Sequence, residues 1–345
     1  MTPPDRASLI EALRDASSER RTLAVRGGGS HGRRGHVVPA PDATLSTLGL
    51  RRVIDHAPAD LTVTVEGGAR VDALTELLAS EGQRWPQVDP APGATVGGAI
   101  AAGASGRLRL RHGPIRDGVL EIVIATGDGR LGTAGGRTVK GVAGYDLPRL
   151  MTGALGTLGV VVQATLKLWP VPPAAGWFVM EGDLEARLEV ATAWMRDLVR
   201  PAAVLLRPDG AWLHLEGPPD DVVAPATARP AAPPPGPTGT GMLSVGVPPP
   251  AVTTLVRALA AAGDAYEAQV GVGACRVVAD TADDVARIRE IATGLGGHAW
   301  VADGPDVLRE DPWGPAPGGL DVMRRLKAAF DPAGILSPGI GVGGI

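Results

Sequence analysis

The sequence has few of the residues that build covalent or metal-held scaffolds. Cys275 is the only cysteine among 345 residues. One cysteine excludes, within this chain, a disulfide framework, a zinc site held by cysteines and an iron–sulfur cluster held by cysteines. Lysine is also scarce, with three residues (Lys140, Lys167 and Lys327), and the formal net charge is −4. Because this balance gives no broad basic surface, we expect no nucleic acid partner.

Long hydrophobic runs are absent as well. No run of about 18 apolar residues offers a segment that could cross a membrane, and residues 1–21 lack the apolar core of a signal peptide. We therefore expect a cytoplasmic protein, which partners could hold peripherally at the inner membrane. Hydrophobic residues make up 44% of the chain, enough for a sizeable core, and the length suits two domains.

Hydrophobic spacing and turn residues predict the order of the elements. A strand at 62–65 and a helix at 71–78 are the clearest, because apolar residues first alternate and then recur at helical spacing. Other expected elements are a helix at 8–16 capped by Ser8, a strand at 22–26, a strand at 270–279, and helices at 182–200, 250–262, 281–294 and 321–330. Prolines after residue 169 place a domain boundary at 172. We expect domains at 1–172 and 173–318, a mobile Pro/Ala-rich loop at 217–240, and a segment at 319–345 that returns to the first domain.

The stretch TLAVRGGGSHGRRGHVVPAP, residues 22–41, contains a G-x-G-x-x-G pattern at Gly27, Gly29 and Gly32. In a nicotinamide-binding unit the last glycine of this pattern opens a helix whose amides hold a pyrophosphate. Here Pro39, Pro41 and a β-branched pair follow within nine residues, so two turns of helix cannot form. The run is then either a tight surface turn or an anion-binding nest of backbone amides.

Two more glycine-rich segments favour the ligand-binding alternative. PGATVGGAIAAG (92–103) offers a hydroxyl at Thr95 and bare backbone at Gly97 and Gly98, and GALGTLGVV (153–161) is similar. Three such loops at the ends of strands or the starts of helices suit a long ligand with a central pyrophosphate. Their spacing alone does not identify which dinucleotide it is.

The order of motifs resembles a known family. RGGGS, then PGATVGG, then HGPIRDGVLEIVIATGDG, then KGVAGYDLPRLMTGALGTLGVV resembles the FAD-binding domain of the vanillyl-alcohol-oxidase/p-cresol-methylhydroxylase superfamily. Within it, the chain most resembles the FAD-binding subunits of glycolate oxidase, also called glycolate dehydrogenase. The match covers residues 22–172, and LKAAFDPAGILSPG (326–339) resembles the closing segment of that family, whereas 175–315 matches weakly. The resemblance implies an α+β fold, with a two-subdomain FAD-binding domain and a smaller, reduced α+β second domain.

The resemblance also implies the cofactor contacts and a non-covalent FAD. Covalent members of the superfamily often have a histidine where this chain has Ser30; here the histidine comes one residue later, at His31. By resemblance, the first loop lies on the pyrophosphate, the second forms a facing wall, the third lies beside the ribityl chain or ring, and the fourth contacts the adenine side. These loops consist of Arg26, Gly27, Gly28, Gly29, Ser30 and His31; Pro92, Gly93, Ala94, Thr95, Gly97 and Gly98; Ala102, Gly103, Ala104 and Ser105; and Gly156, Thr157, Leu158, Gly159, Val160 and Val161.

Catalytic residues are not identified by the sequence, and no metal site is predicted. His214 and His298 stand alone in the sequence. Tyr145 and Asp146 are either a packed aromatic with a helix cap or polar contacts near the flavin. Arg107, Arg109 and Arg111 alternate, so they form either a solvated strand face, or a docking patch or site for a substrate carboxylate.

The resemblance implies a redox subunit. Such a chain holds FAD and works with a larger FAD-binding subunit and an iron–sulfur subunit to oxidise glycolate, or a similar 2-hydroxy acid, to the 2-oxo acid (glyoxylate), passing electrons to a partner. Two alternatives stay open at this point. One is a non-catalytic structural or assembly subunit, and the other is a self-sufficient FAD-dependent dehydrogenase of unknown substrate.

Overall fold

The computed structural model describes residues 1–136, 145–198 and 200–345. The helices are α1 (Arg6–Glu19), α2 (Val71–Ser80), α3 (Val96–Ala102), α4 (Arg109–His112), α5 (Leu147–Met151), α6 (Leu184–Asp197), α7 (Val252–Ala262), α8 (Ala282–Gly294) and α9 (Leu320–Phe330). The strands are β1 (Leu23–Arg26), β2 (Ala43–Ser46), β3 (Val53–Ala57), β4 (Thr62–Glu66), β5 (Gln83–Arg84), β6 (Val119–Ala125), β7 (Leu131–Gly135), β8 (Val160–Lys167), β9 (Trp169–Pro170), β10 (Ala174–Met180), β11 (Ala203–Arg207), β12 (Gly210–Gly217), β13 (Arg229–Ala231), β14 (Gly241–Gly246), β15 (Tyr266–Gln269), β16 (Ala274–Ala279) and β17 (His298–Asp303).

The first half of the chain is built on a five-stranded sheet in the order β3-β4-β8-β6-β7. Helix α2 covers it with Val71, Leu74 and Leu78, whereas Leu77, the fourth residue whose spacing predicted the helix, is exposed. Helix α3 lies against the same core and consists almost entirely of small residues. A β-carbon on Gly97 would come to 2.8 Å from the Gly67 carbonyl oxygen, so α3 can lie this close only because the residue is glycine.

A second, smaller layer joins the two ends of the chain. Strands β1 and β2 pair in parallel, and α1 packs on them with Leu9 and Leu13. Asp5, not Ser8, caps α1, because its carboxylate accepts the Ser8 amide at 2.9 Å. The C-terminal segment lies along β1, where the Leu23 amide donates to the Ile335 carbonyl and the Ser337 amide donates to the Leu23 carbonyl, each at 2.8 Å.

Residues after 173 form an eight-stranded sheet in the order β13-β10-β12-β11-β15-β16-β14-β17. Helices α6, α7 and α8 cover one face and bury Trp194, Leu255 and Ile288 in its core. The opposite face is polar and meets the first half of the chain, as the ion pairs of Arg84 with Glu216 and of Arg107 with Glu267 demonstrate. The predicted domain boundaries themselves stay a prediction.

Two predicted elements differ from the structure. The strand expected at 270–279 begins with the turn between β15 and β16, in which Gly271 and Gly273 have positive φ (+78° and +82°), and only β16 forms a strand there. Inside the expected loop 217–240, β13 pairs with β10. Proline can enter this strand because β13 lies at the edge of the sheet.

Among the described residues, no helix is long and apolar enough to cross a membrane.

The alternation of Arg107, Arg109 and Arg111 does not form a strand face. Helix α4 begins at Arg109, so the three side chains take different directions. Arg107 pairs with Glu267, and Arg111 donates to the carbonyls of Arg200 and Glu216 at 3.0 Å. The alternation of arginine and leucine predicted the wrong local structure. Arg107 and Arg111 are held by contacts with distant residues of the second half of the chain, and a local sequence pattern does not show these contacts.

Candidate functional site

A cavity of about 750 Å³ opens between β1, α3, the loop before β8 and the C-terminal segment. Its walls are mostly backbone and small side chains. The lining residues are Thr22, Ala24–Gly32, Arg34, His36–Pro41, Thr47, Thr95, Gly97, Gly98, Ala101, Ala102, Leu155, Gly156, Gly159–Val161, Arg309 and Ser337–Ile340. Four distant parts of the sequence therefore meet at one site.

The RGGGS loop follows β1 and packs directly on the second glycine-rich segment. A β-carbon on Gly27 would lie 2.2 Å from Thr95 Oγ1, and one on Gly28 would lie 1.5 Å from the Gly93 carbonyl oxygen. Gly29 has φ +80° and no atom within 4 Å of the position of a β-carbon. The glycines thus let two backbones touch and leave one side of the loop bare toward the cavity.

The region after Gly32 contains no helix. Residues 33–42 have no regular secondary structure, and the next element is β2. The sequence argument against a nicotinamide-type βαβ unit is therefore confirmed. Thr95 instead caps α3, where its hydroxyl accepts the Gly98 amide at 3.2 Å.

The C-terminal segment forms a wall of the cavity that sequence reasoning did not assign. Ser337 Oγ accepts the Val25 amide at 3.3 Å and Ser337–Ile340 line the cavity. Residues 37–41, which follow the glycine run, also line it. The signal available was the closing motif near 331–339, whose Pro and Gly residues mark a fixed turn after α9.

Hydrogen bonds of Lys327 fasten that segment to the loop before β8. Lys327 Nζ donates to the Thr157 and Leu336 carbonyls, each at 2.8 Å, and to Asp331 at 2.7 Å. The buried Asp331 carboxylate also accepts the amides of Ile335 and Leu336. Burial lowers the pKa of Lys327. Lys327 and Asp331, called the clasp below, thus connect α9, the third glycine-rich segment and the C-terminal wall.

The cavity wall includes many of the residues predicted as cofactor contacts. They are Arg26, Gly27, Gly28, Gly29, Ser30, His31, Thr95, Gly97, Gly98, Ala102, Gly156, Gly159, Val160 and Val161. The predicted residues that do not line it are Pro92, Gly93, Ala94, Gly103, Ala104, Ser105, Thr157 and Leu158. The role of each one as a cofactor contact stays a prediction.

Several of the residues away from the wall have local partners instead. Leu158 is buried in the core of the five-stranded sheet. The Thr157 hydroxyl donates to the Ala154 carbonyl at 2.8 Å, and Ser105 Oγ accepts the Ile115 amide at 3.1 Å. Gly103 ends α3 in the left-handed conformation, with φ +61°. These residues stabilise the conformation of the loops and do not form the surface that faces the cavity.

The site fits a long ligand with a pyrophosphate. Its volume lies in the range of cavities for small molecules and cofactors, about 300–1,000 Å³. Gly27 and Gly28 pack on the neighbouring loop with no room for a β-carbon, and the space beside Gly29 is open, so these three residues present no side chain to the cavity. Positive charge is available from Arg26, Arg34 and Arg309, which line the cavity. The residues present therefore fit FAD.

Arg34 lies between the cavity and the ring of Trp300. It donates to the Ala102 carbonyl, and its guanidinium carbon lies 5.4 Å from the ring centroid of Trp300. Its Nε is buried without a hydrogen-bond partner. Burial, followed by repulsion from Arg276, lowers the pKa of Arg34 to about 10. Burial and Arg34 together lower the pKa of His31 to about 4, so His31 is neutral at pH 7.

A polar cluster joins the two halves of the chain and was missed in the sequence. Glu216 Oε2 contacts Arg84 Nη2 at 2.6 Å and His112 Nε2 at 2.9 Å, and Glu216 Oε1 contacts His214 Nε2 at 3.2 Å. Burial raises the pKa of the Glu216 carboxyl, but the hydrogen bonds from Arg84, His112 and His214 outweigh it and hold the pKa far below its usual range. His214 therefore does not stand alone, and its partners were invisible because they come from distant segments.

Other predicted candidates lie away from the cavity or outside the described residues. Tyr145 is 91% exposed, whereas Asp146 caps α5 by accepting the Arg149 amide at 3.0 Å. His298 is exposed. Lys140 lies outside the described residues. Within the described residues no group of three or more His, Cys, Asp or Glu side chains is arranged to hold a metal ion.

Comparisons with known proteins give two family matches and several relatives. Residues 1–135 match the FAD binding domain family, and residues 313–340 match the C-terminal domain family of the FAD linked oxidases. Glycolate oxidase subunit GlcE of Escherichia coli (strain K12) is 32% identical over 212 residues, which cover 61% of this chain and 60% of that protein. The mitochondrial cytochrome-type D-lactate dehydrogenase of Arabidopsis thaliana is 34% identical over 164 residues, 47% of this chain and 29% of that protein. The matched region thus spans less than two thirds of either relative.

The solved structures give the fold. Alkyldihydroxyacetonephosphate synthase superposes with a TM-score of 0.66 at 16% sequence identity, covering 98% of this chain and 76% of that one. At this identity the likeness concerns the fold alone. The predicted α+β fold class is confirmed.

Proposed function

We propose that this chain is a non-covalent flavoprotein that serves in the oxidation of a small 2-hydroxy acid to the 2-oxo acid. The proposal is supported by the matches of residues 1–135 to the FAD binding domain family and of residues 313–340 to the C-terminal domain family of the FAD linked oxidases. The cofactor is FAD, as its motifs implied. Bound FAD supplies the acceptor for the electron pair that leaves the hydroxy acid.

The observation that carries this proposal is the backbone contact between the two glycine-rich loops. Gly27 and Gly28 rest against Thr95 and Gly93 with no room for a β-carbon. Only glycine fits at these two positions. A loop of glycines can present bare backbone amides to an anionic group, which suits a pyrophosphate. We assign the pyrophosphate to the RGGGS loop, and the rest of the cofactor to the cavity that continues along α3 and toward the loop before β8.

A non-covalent cofactor is supported by the residues around this loop. Ser30 occupies the position where covalent relatives of the superfamily often have histidine. Its hydroxyl is 3.0 Å from Nδ1 of His31, so the two side chains are hydrogen-bonded to each other. Cys275 is buried in the apolar core of the eight-stranded sheet, where burial raises the pKa of its thiol. It is not among the residues that line the cavity.

The substrate class and the partners are proposed from the relatives. These include a glycolate oxidase subunit and a D-lactate dehydrogenase. Each of these relatives is named for a small 2-hydroxy acid, glycolate or D-lactate. The Escherichia coli relative is named as a subunit, which supports a chain that works with others. We propose a larger FAD-binding subunit and an iron–sulfur subunit as partners. We also propose that the protein is located in the cytoplasm, and at the inner membrane if those partners hold it there.

Anaerobic mixing tests the proposal. The FAD-loaded chain is mixed with glycolate or D-lactate, alone and with the two partner subunits, while the visible flavin absorbance is followed. Bleaching that requires the partners supports the proposed subunit. Rapid, substrate-specific bleaching of the chain alone would favour a self-sufficient dehydrogenase, and a chain that is purified folded and without flavin would favour a structural or assembly subunit.

A further inference from the structure

Residues 33–41 follow the RGGGS loop, lead to β2 and are called the flap below. Arg34 and residues 36–41 line the large cavity, and the flap has no regular secondary structure. Val37 and Ala40 are exposed, and within the described chain none of residues 36–41 belongs to an apolar core. The flap is thus a wall of the cavity that core packing does not hold in place.

The backbone of the flap is held at one place between its two ends. At its C-terminal end the Asp42 carboxylate accepts the amide and the hydroxyl of Thr22, each at 2.7 Å, where β2 begins beside β1. Within the flap, the one hydrogen bond from backbone to backbone is that of the His36 amide to the Ile340 carbonyl, at 3.1 Å. Residues 37–41 make no hydrogen bond with any described part of the chain. A segment with so few hydrogen bonds and so little packing opens locally at a small cost in free energy.

Arg309 completes the anchor at that one place. Its Nε donates to the Gly35 carbonyl at 3.0 Å, and its Nη2 donates to the His36 carbonyl at 3.3 Å. Leu308, the preceding residue, is buried in the core of the eight-stranded sheet, which fixes Arg309 to the second half of the chain. Among the described carboxylates only that of Asp306, which is exposed, pairs with Arg309, at 3.3 Å. The guanidinium group of Arg309 therefore serves mainly to hold the flap.

Two further contacts of the flap come from arginine side chains at its start. Arg33 pairs with Asp303 at 2.9 Å, but both side chains are exposed, and such a pair contributes little. Arg34 donates to the Ala102 carbonyl and holds only the first part of the flap. Arg309 differs from both, because it donates as a charged group to two carbonyls at a place that is largely shielded from water. Loss of Arg309 should therefore free the flap more than loss of Arg33 does.

We infer that Arg309 holds the flap closed over the cavity, and that FAD enters and leaves when this anchor opens. The inference rests on the proposed function only for the placement of FAD in this cavity. Arg309 is a positioning residue in this role, since it acts through the backbone of Gly35 and His36. The flap can swing without disturbing the sheet, because its ends stay attached at β1 and β2.

The test measures how fast the FAD-loaded full chain releases its cofactor. An excess of an apo-flavoprotein captures the released FAD, and the change in flavin absorbance gives the rate. We expect Arg309→Met to release FAD roughly tenfold faster or more, because two hydrogen bonds from a charged donor are lost, and Arg309→Lys to be intermediate. Gly35→Ala should also release FAD faster, since a β-carbon on Gly35 would lie 2.2 Å from the Ile340 carbonyl oxygen. Gly35 is not among the residues that line the cavity, so this variant opens the anchor without touching the cofactor.

Trypsin gives a second readout, because Arg33 and Arg34 provide cleavage sites inside the flap. Digestion of the FAD-loaded chains under native conditions, with sequencing of the new N-termini, measures how often this segment opens. The cleavage rate at these two sites should rise in Arg309→Met and in Gly35→Ala. Loss of a direct contact between Arg309 and FAD would not by itself expose this backbone to trypsin.

Arg289→Met is the matched control. The Arg289 side chain is 16% exposed, against 12% for Arg309, and it likewise donates to a backbone carbonyl, that of Ala299 at 3.3 Å. Its acidic partner is Asp311, so it makes no hydrogen bond with the flap, and it does not line the cavity. This variant should release FAD and be cleaved like the wild type. Circular dichroism verifies that every variant is folded.

Equal release of FAD by folded Arg309→Met and Arg289→Met would overturn the inference. Faster release by Arg309→Met, with wild-type release and wild-type cleavage in folded Gly35→Ala, would overturn it as well, because Arg309 would then act by direct contact with the cofactor. Arg309-dependent release from a chain whose flavin no 2-hydroxy acid bleaches, with or without partners, would uphold the flap and reject the proposed function. Bleaching together with release that Arg309→Met leaves unchanged would do the reverse.

Discussion

Gly28 contacts the backbone of Gly93 so closely that a β-carbon on Gly28 would lie 1.5 Å from the Gly93 carbonyl oxygen. One residue further on, Gly29 has φ +80° and nothing within 4 Å of the position of its β-carbon. The same loop thus contains one glycine that is required by contact and one that is required by backbone conformation alone.

We expect Gly28→Ala to lose most of its FAD, because the added methyl group forces the RGGGS loop away from the second glycine-rich segment. Gly82→Ala is the matched control, because Gly82 also has positive φ (+65°) and nothing within 4 Å of the position of a β-carbon, and it is not among the residues that line the cavity; the variant has a backbone cost of about 1 kcal/mol and should keep its FAD. The ratio of flavin to protein absorbance in the purified variants measures both. Equal FAD content in folded Gly28→Ala and wild type would mean that this contact does not shape the cofactor site.

Heat denaturation should release free FAD into the supernatant. Ser30 stands at the usual covalent position and is hydrogen-bonded to His31. Precipitating the protein and measuring flavin fluorescence in the two fractions gives the answer. Flavin that stays with the washed precipitate would contradict a non-covalent cofactor, and peptide mapping would then identify the linked residue.

The local elements could be predicted because their signals are local. Strand β4 and helix α2 follow from alternation and from the spacing of Val71, Leu74 and Leu78. The three glycine-rich loops could be recognised because glycines at such density indicate backbone that must approach another group closely or adopt positive φ. Their order along the chain is enough to indicate the superfamily.

The parts that escaped prediction are made by long-range contacts. Ser337 meets Val25 across 312 residues, and His112 meets Glu216 across 104. No window of sequence contains both partners. The direction of Arg107 is likewise decided by Glu267, 160 residues away, and this explains why an alternating pattern predicted the wrong local structure.

Acid should weaken the protein through Glu216. Its folded-state pKa lies far below the ordinary value of 4.5, since the hydrogen bonds from Arg84, His112 and His214 outweigh burial. Its contribution to stability is therefore fully present above pH 4.5 and is lost as the pH falls below that value toward the folded-state pKa. Urea unfolding at a series of pH values measures the slope. Glu216→Gln should be less stable at pH 7 by about 3 kcal/mol, because Arg84 stays half-buried without its partner, and its stability should change less between pH 4.5 and pH 3.

The control for that experiment is Glu185→Gln. Glu185 pairs with Arg257 at the surface, where an ion pair contributes little. Its variant should follow the wild-type acid dependence closely. An acid slope that is unchanged in Glu216→Gln would assign the pH dependence to other carboxylates.

Lys327 should be needed to hold the C-terminal wall of the cofactor cavity. Its ammonium group donates to the Thr157 and Leu336 carbonyls and to Asp331, and the Asp331 side chain is fully buried. Lys327→Met leaves that carboxylate without its cation, which costs about 3–5 kcal/mol, and frees both the loop before β8 and the segment around Ser337. We expect a lower melting temperature and weaker FAD retention, with partial recovery in Lys327→Met/Asp331→Asn because the unpaired charge is removed. Lys167→Met is the matched lysine control, since Lys167 is exposed beside the Trp169 ring and should retain FAD like the wild type. If Lys327→Met loses stability but binds FAD as tightly as Lys167→Met does, the clasp supports the fold without shaping the cofactor site.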